Sequence, residues 1–174
     1  MTDQIRSPKA ILADYADGPA QLEAAVAGLT ELELNLDLAV DTWTIRQIVH
    51  HIVDGDDVWK ICLKAALGNS NGVFTLQWYW EMPQDTWAGC WKYAERAIEP
   101  SLALFQASRR HVVQLMKQIP DAWERSIRIQ WPHETEGPIS VGRIIEMQAN
   151  HAADHIDDIR RIRQAHNLNL QEGA

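Results

Sequence analysis

Four stretches of this chain place apolar residues three and four positions apart, and that spacing constrains its fold more than any other feature. An α-helix turns about 100° per residue, so residues spaced this way gather on one face that has to be buried against another helix. Leu22, Ala25, Val26 and Leu29 mark the first stretch, which predicts a helix over Pro19 to Leu29 with an additional helical turn near Pro8. The second opens at Thr44 with Gln47 three residues on, a capping-box signature behind apolar Trp43, and should run to about Leu67 with Gly68-Asn69 as its stop. The third opens at Glu99-Pro100 and closes at Ile119-Pro120, with a stripe of Leu102, Phe105, Val112, Leu115, Met116 and Ile119. The last begins near Ser140, after Gly137-Pro138, and continues to about His166.

Strand-like alternation is confined to Ser126 to Trp131. The segment from Ser70 to Pro83 reads as an irregular connection whose Trp78, Tyr79 and Trp80 should cover something, ahead of a short helix around Asp85 to Ala97. The expected fold is therefore all-α, a four-helix bundle with long connections, and 174 residues fit a single domain over 1–174 with a core that needs no disulfides.

A formal net charge of -8 argues against a nucleic-acid partner, because phosphate binding requires clustered Lys and Arg. The one basic run, Arg160, Arg161 and Arg163, is interleaved with Asp157 and Asp158 near a helix end and reads as a solvated face. The opening residues contain no apolar signal-peptide core, and no run approaches the roughly 18 apolar residues of a membrane span, so the expectation is a cytoplasmic protein with no membrane partner. Cys62 and Cys90 lie too far apart for a CxxC motif, and both read as small buried hydrophobes.

The seven histidines carry the chemistry. His151 and His155 stand four residues apart, one turn apart on one side of the last helix, within the stripe of Val141, Ile144, Ile145, Gln148, Ala152, Ile159 and Ile162. Two imidazoles buried together without partners would cost about 1–3 kcal/mol each, and a shared cation removes that cost. A third ligand is expected from another helix. His51 shares a stripe with Gly55, Val58 and Cys62 beside the apolar face of the second helix, whereas His50 lines up with Asp54, Asp57 and Lys64 and reads as exposed or at the rim. His51, His151 and His155 are thus the predicted metal ligands. His111 and His166 have no partner at a useful spacing, and His133, in the Trp131-Pro132-His133 loop, is a further candidate for lining the site. Three imidazoles without a cysteine suit zinc or nickel and leave a coordination position open to water or a small-molecule substrate. Asp54 and Asp154 are candidate acceptors that would orient the rings.

The run Trp43-Thr44-Ile45-Arg46-Gln47-Ile48-Val49-His50-His51, paired with the late His151-Ala152-Ala153-Asp154-His155-Ile156, resembles the DinB/YfiT-like superfamily over about residues 20 to 166. This family is distinct from the DNA polymerase that shares its name. The resemblance implies a four-helix bundle, commonly a homodimer, with a three-histidine metal site whose ligands fall on His51, His151 and His155. It also implies either a metal-dependent hydrolase or a transferase that uses a low-molecular-weight thiol of the bacillithiol or mycothiol type. The alternative is a bundle that binds a metal or small molecule without catalysis, since no second catalytic group is evident.

Overall fold

The computed structural model describes residues 6–130 and 135–168, with the side chains of 135 and 136 left aside. Four long helices dominate: α1 (Pro8–Val26), α2 (Ile45–Gly68), α5 (Glu99–Gln118) and α6 (Val141–Ala165). Two short helices, α3 (Gln77–Trp80) and α4 (Gln84–Cys90), occupy the connection between α2 and α5. Strands β1 (Val73–Thr75), β2 (Ser126–Gln130) and β3 (Thr135–Ser140) form a small sheet in the order β1-β2-β3, with β2 parallel to β1 and antiparallel to β3. None of the described helices is long and apolar enough to cross a membrane.

The helix ends follow local chemistry. Thr44 caps α2 by accepting from the Gln47 backbone N–H, and the Gln47 side chain accepts from the Thr44 N–H in return, completing the capping box. Ser140 caps α6 by accepting from Arg143, and Ile119 ends α5 one residue before Pro120.

The first helix departs from the sequence expectation. Ser7 caps it and Pro8 occupies its first turn, so Pro19 lies in the middle of α1 and does not begin it. An internal proline removes an N–H and strands the carbonyl four residues earlier, here that of Tyr15. A partner from outside the helix fills that role: Arg109 on α5 donates from Nη1 to the Tyr15 carbonyl at 2.8 Å. Gly18 makes the approach possible, because a Cβ there would sit 2.2 Å from Arg109 Nη1.

In the bundle, α1 and α2 each pack chiefly against α5 and α6, so consecutive long helices lie across the diagonal. The connections after α1 and α5 therefore have to cross the ends of the bundle, which accounts for their length. The N-terminal half of α2 shares one apolar cluster with the C-terminal half of α6, while the opposite halves meet in a second cluster, so these two helices run antiparallel.

A buried polar layer separates the two clusters. The Arg109 guanidinium is held between the rings of Tyr15 and Phe105, 4.2 and 4.3 Å from their centres. Beyond Tyr15, it bonds the Asp56 carboxylate of α2 from Nε at 3.1 Å and from Nη2 at 3.0 Å, and donates from Nη2 to the Gln148 carbonyl of α6 at 2.8 Å. Both side chains of the ion pair are 1% exposed. One side chain thereby ties all four long helices together at a single level.

Candidate metal centre

His51 projects from α2 toward His151 and His155 on α6, across the antiparallel interface. The three ring centres lie 4.9 Å (His51–His151), 4.7 Å (His51–His155) and 4.7 Å (His151–His155) apart, close to an equilateral triangle. One nitrogen from each ring falls within 4.8 Å of the other two, and His51 Nε2 is 3.0 Å from His151 Nε2. Two ligands about 2.0–2.1 Å from a shared tetrahedral ion would stand roughly 3.3 Å apart. The three histidines singled out from the sequence are brought together, and His151 and His155 sit at the edge of the apolar stripe, half-buried.

Electrostatics favour the neutral rings. Burial, then the neighbouring His151 and His155, hold His51 down to about 3, and burial followed by His155 and Arg109 holds His151 down to about 4. Both rings are therefore unprotonated near neutral pH, the form that ligates metals.

The surrounding shell differs from the sequence reading. Asp158, three residues beyond His155, faces its Nδ1 at 3.3 Å. Asp154 is exposed, and Asp54 instead accepts from Arg96 Nη1 at 3.2 Å, so neither expected carboxylate orients a ring. The i,i+3 spacing of His155 and Asp158 was the available signal. Trp43, just before the Thr44 cap, sets its ring edge-on to His51 at 4.4 Å and parallel to His155 at 6.5 Å, while its Nε1–H donates to Asp85 at 2.9 Å. The indole forms one wall of the cluster. Trp78, by contrast, joins Asp54, Asp57, Val58, Ile61, Trp91 and Arg96 around a separate cavity of about 440 Å³, so the aromatic connection packs beside α2 rather than over the histidines.

His50 overturns its expectation more sharply. It is fully buried, at 0% exposure. Its Nε2 lies 3.2 Å from the Arg96 carbonyl, which can only accept, so Nε2 carries the proton and Nδ1 accepts from the Ser101 hydroxyl at 2.9 Å. Arg46 donates to the same Arg96 carbonyl at 2.9 Å, to Asn35 Oδ1 at 3.0 Å and to Glu31 Oε2 at 2.6 Å. His50 and Arg46 therefore fasten the loop ahead of α5 and the turn after α1 onto α2. The Asp54–Asp57–Lys64 stripe looked solvated because the segment that covers His50 comes from far along the chain.

His111 is exposed, and the exposed His166 approaches the Asp37 carbonyl at 2.8 Å, away from the cluster. His133 lies outside the described residues. Cys62 is buried as expected, with burial pushing its thiol up to about 12, but Cys90 is exposed on α4.

The DinB superfamily profile matches residues 15–159, most of the chain and all three histidines. The chain belongs to the DinB superfamily. A protein of Oceanobacillus iheyensis named "Putative metal-dependent hydrolase" is 29% identical over 147 residues, 84% of this chain and 80% of the relative. A Geobacillus kaustophilus protein of the same name is 25% identical over 147 residues, 84% of this chain and 78% of its own. Among solved structures, YfiT from Bacillus subtilis superposes with a TM-score of 0.81 over 97% of this chain and 94% of its own, at 20% identity, and is described as having "an unusual four-helix bundle topology". The diagonal placement of consecutive helices in this DinB-superfamily chain belongs to the same fold.

Proposed function

We propose that His51, His151 and His155 hold one divalent transition metal, zinc or nickel, and that the protein is a metal-dependent hydrolase acting on a small molecule. The observation that carries this reading is the convergence of three imidazole nitrogens within 4.8 Å, from two helices, with no fourth His, Cys, Asp or Glu in the group among the described residues. Three ligands are the number that catalytic zinc sites use, the remaining position being left for water or substrate. The donor set fits such an ion. Two of the rings are held neutral by burial, and the buried Nδ1 of His151 is the atom a ring ligating through Nε2 would leave bearing a proton. The relatives' name and the description of YfiT as "a probable metal-dependent hydrolase" support the same class.

An ion in this position supplies Lewis acidity to water or to a substrate carbonyl. The chain supplies orientation and shielding. Asp158 accepts the Nδ1 proton of His155, which leaves Nε2 of that ring free to ligate. Trp43 closes one side and limits water there, while the antiparallel α2–α6 contact fixes the spacing between His51 and the other two rings.

The test is elemental analysis of protein purified without chelator, joined to a screen of activated esters and amides with and without added thiols. About one ion per chain and ester or amide hydrolysis lost in His155→Ala support the proposal. A strict requirement for a thiol would instead assign a thiol-dependent transfer to the same site. Full metal occupancy with no turnover under any condition would make the protein a metal-binding bundle.

A further inference from the structure

We propose that Gln148 is the positioning residue for His151, its side-chain amide accepting the Nδ1 proton of that ring when the three histidines hold their metal; this rests on the three-histidine reading above. The support is a pair of matching deficits on one helix. His151 Nδ1 and Gln148 Oε1 are both closed off from solvent, and neither has a hydrogen-bond partner among the described residues. They stand three residues apart on α6, where side chains are neighbours about 5–6 Å apart at Cβ. Buried polar atoms left unpaired cost about as much as a lost hydrogen bond, so two of them on residues one turn apart call for an explanation.

Proton placement provides one. His151 turns Nε2 toward His51, at 3.0 Å, so a metal ion shared between them is ligated through Nε2 and leaves the proton on Nδ1 as a buried donor. Of the three rings, His155 already faces a carboxylate acceptor in Asp158. Gln148 offers the corresponding acceptor for His151, and its terminal torsion is broad enough to turn Oε1 toward Nδ1 without moving the backbone. That backbone is held independently: the Gln148 carbonyl accepts from Arg109 Nη2 at 2.8 Å, which anchors the turn of α6 preceding His151.

An amide also suits both states of the ring. Before metal binds, His151 can donate from Nε2 to His51, leaving Nδ1 a bare acceptor, and the NH2 end of the same Gln148 amide can then serve it. A carboxylate could serve only the metal-loaded state. An apolar residue would serve neither.

The experiment compares wild type, Gln148→Met and Gln148→Glu by zinc affinity in competition with a chromophoric chelator, by the melting temperature of the metal-free protein, and by ring 15N NMR of the zinc-loaded protein. Gln148→Met should bind zinc about 10- to 100-fold more weakly while the metal-free protein stays folded with only a small fall in melting temperature, and Gln148→Glu should bind within about threefold of wild type or more tightly. Zinc affinity of Gln148→Met within threefold of wild type, or a Glu variant that falls with the Met variant, overturns the assignment. Should Gln148→Met fail to fold, the wild-type spectrum still decides: a slowly exchanging proton on His151 Nδ1 is expected, and a freely exchanging one overturns it. If His155→Ala retains wild-type zinc affinity, the three-histidine reading itself fails, whatever the Gln148 variants do.

Discussion

Replacing Arg109 with Met removes the one cation that ties the four helices and leaves its volume largely filled. Asp56, the Tyr15 carbonyl and the Gln148 carbonyl each lose a bond, and the first two have little to replace it. The Asp56 carboxylate, 1% exposed, keeps only the Tyr15 hydroxyl at 3.4 Å, and the Tyr15 carbonyl cannot fall back on its own helix because Pro19 has no N–H to give. Removing one member of a buried ion pair costs about 3–5 kcal/mol, and an orphaned buried carbonyl about 1–3 kcal/mol. These overlap, so the expected loss is about 5 kcal/mol, comparable to the whole stability of a marginal domain. Urea denaturation followed by far-UV circular dichroism measures it. The double variant Asp56→Leu/Arg109→Met removes the stranded charge and should recover part of the loss, leaving the share of the Tyr15 carbonyl, about 1–3 kcal/mol, and that of the Tyr15 hydroxyl, whose bond to Asp56 is long. The sign with pH is fixed as well. Burial already raises the Asp56 carboxyl in the wild type, and losing Arg109 raises it further, so the Asp56 contribution is most favourable below the unfolded value of about 3.9 and is lost as pH rises toward the raised one; the deficit relative to wild type should be smaller at pH 5 than at pH 8. A double variant as unstable as Arg109→Met alone, or a deficit that does not change with pH, would refute the reasoning.

Three further outcomes follow from the same structure. The metal-free protein should lose stability as pH falls below the free histidine value of about 6.5 toward about 3–4, because His51 and His151 are held neutral in the fold, at up to about 1.4 kcal/mol per pH unit for each ring; melting temperatures across pH 4–8 check it. His50→Phe should cost about 1–3 kcal/mol of stability through the lost Arg96 and Ser101 bonds yet leave zinc affinity unchanged, and a large loss of zinc affinity in a folded variant would return His50 to the site. Asp158→Ala should weaken zinc binding about 10-fold or more whereas Asp154→Ala should not, as measured by chelator competition.

The long helices and the three clustered histidines were legible because both depend on local spacing. Thr44 and Gln47 fix where α2 begins, and the phase of the apolar stripe then determines which side His51 faces; the i,i+4 spacing does the same for His151 and His155. What escaped the sequence depends on partners brought in from elsewhere. Pro19 reads as a helix start because nothing local shows that Arg109, far along the chain, will satisfy the Tyr15 carbonyl. The stripe assigned to α5 omits Ser101, Ser108 and Arg109, all buried, because periodicity counts apolar residues and these polar groups are buried through bonds or close packing made in the folded chain. His50 was misplaced for the same reason, since the Arg96 loop that covers it belongs to another part of the sequence. The short strands β1 and β3 contain Gly137-Pro138 or too few residues to show alternation, so only β2 was visible.

The coordination shell itself is the most direct measure of the central claim. X-ray absorption at the zinc edge of the zinc-loaded protein should show three imidazole nitrogens at about 2.0–2.1 Å with one or two oxygen scatterers completing the shell, and His155→Ala should lose one of the three. A shell containing sulfur at about 2.3 Å, four imidazoles, or an unchanged spectrum in His155→Ala would contradict it.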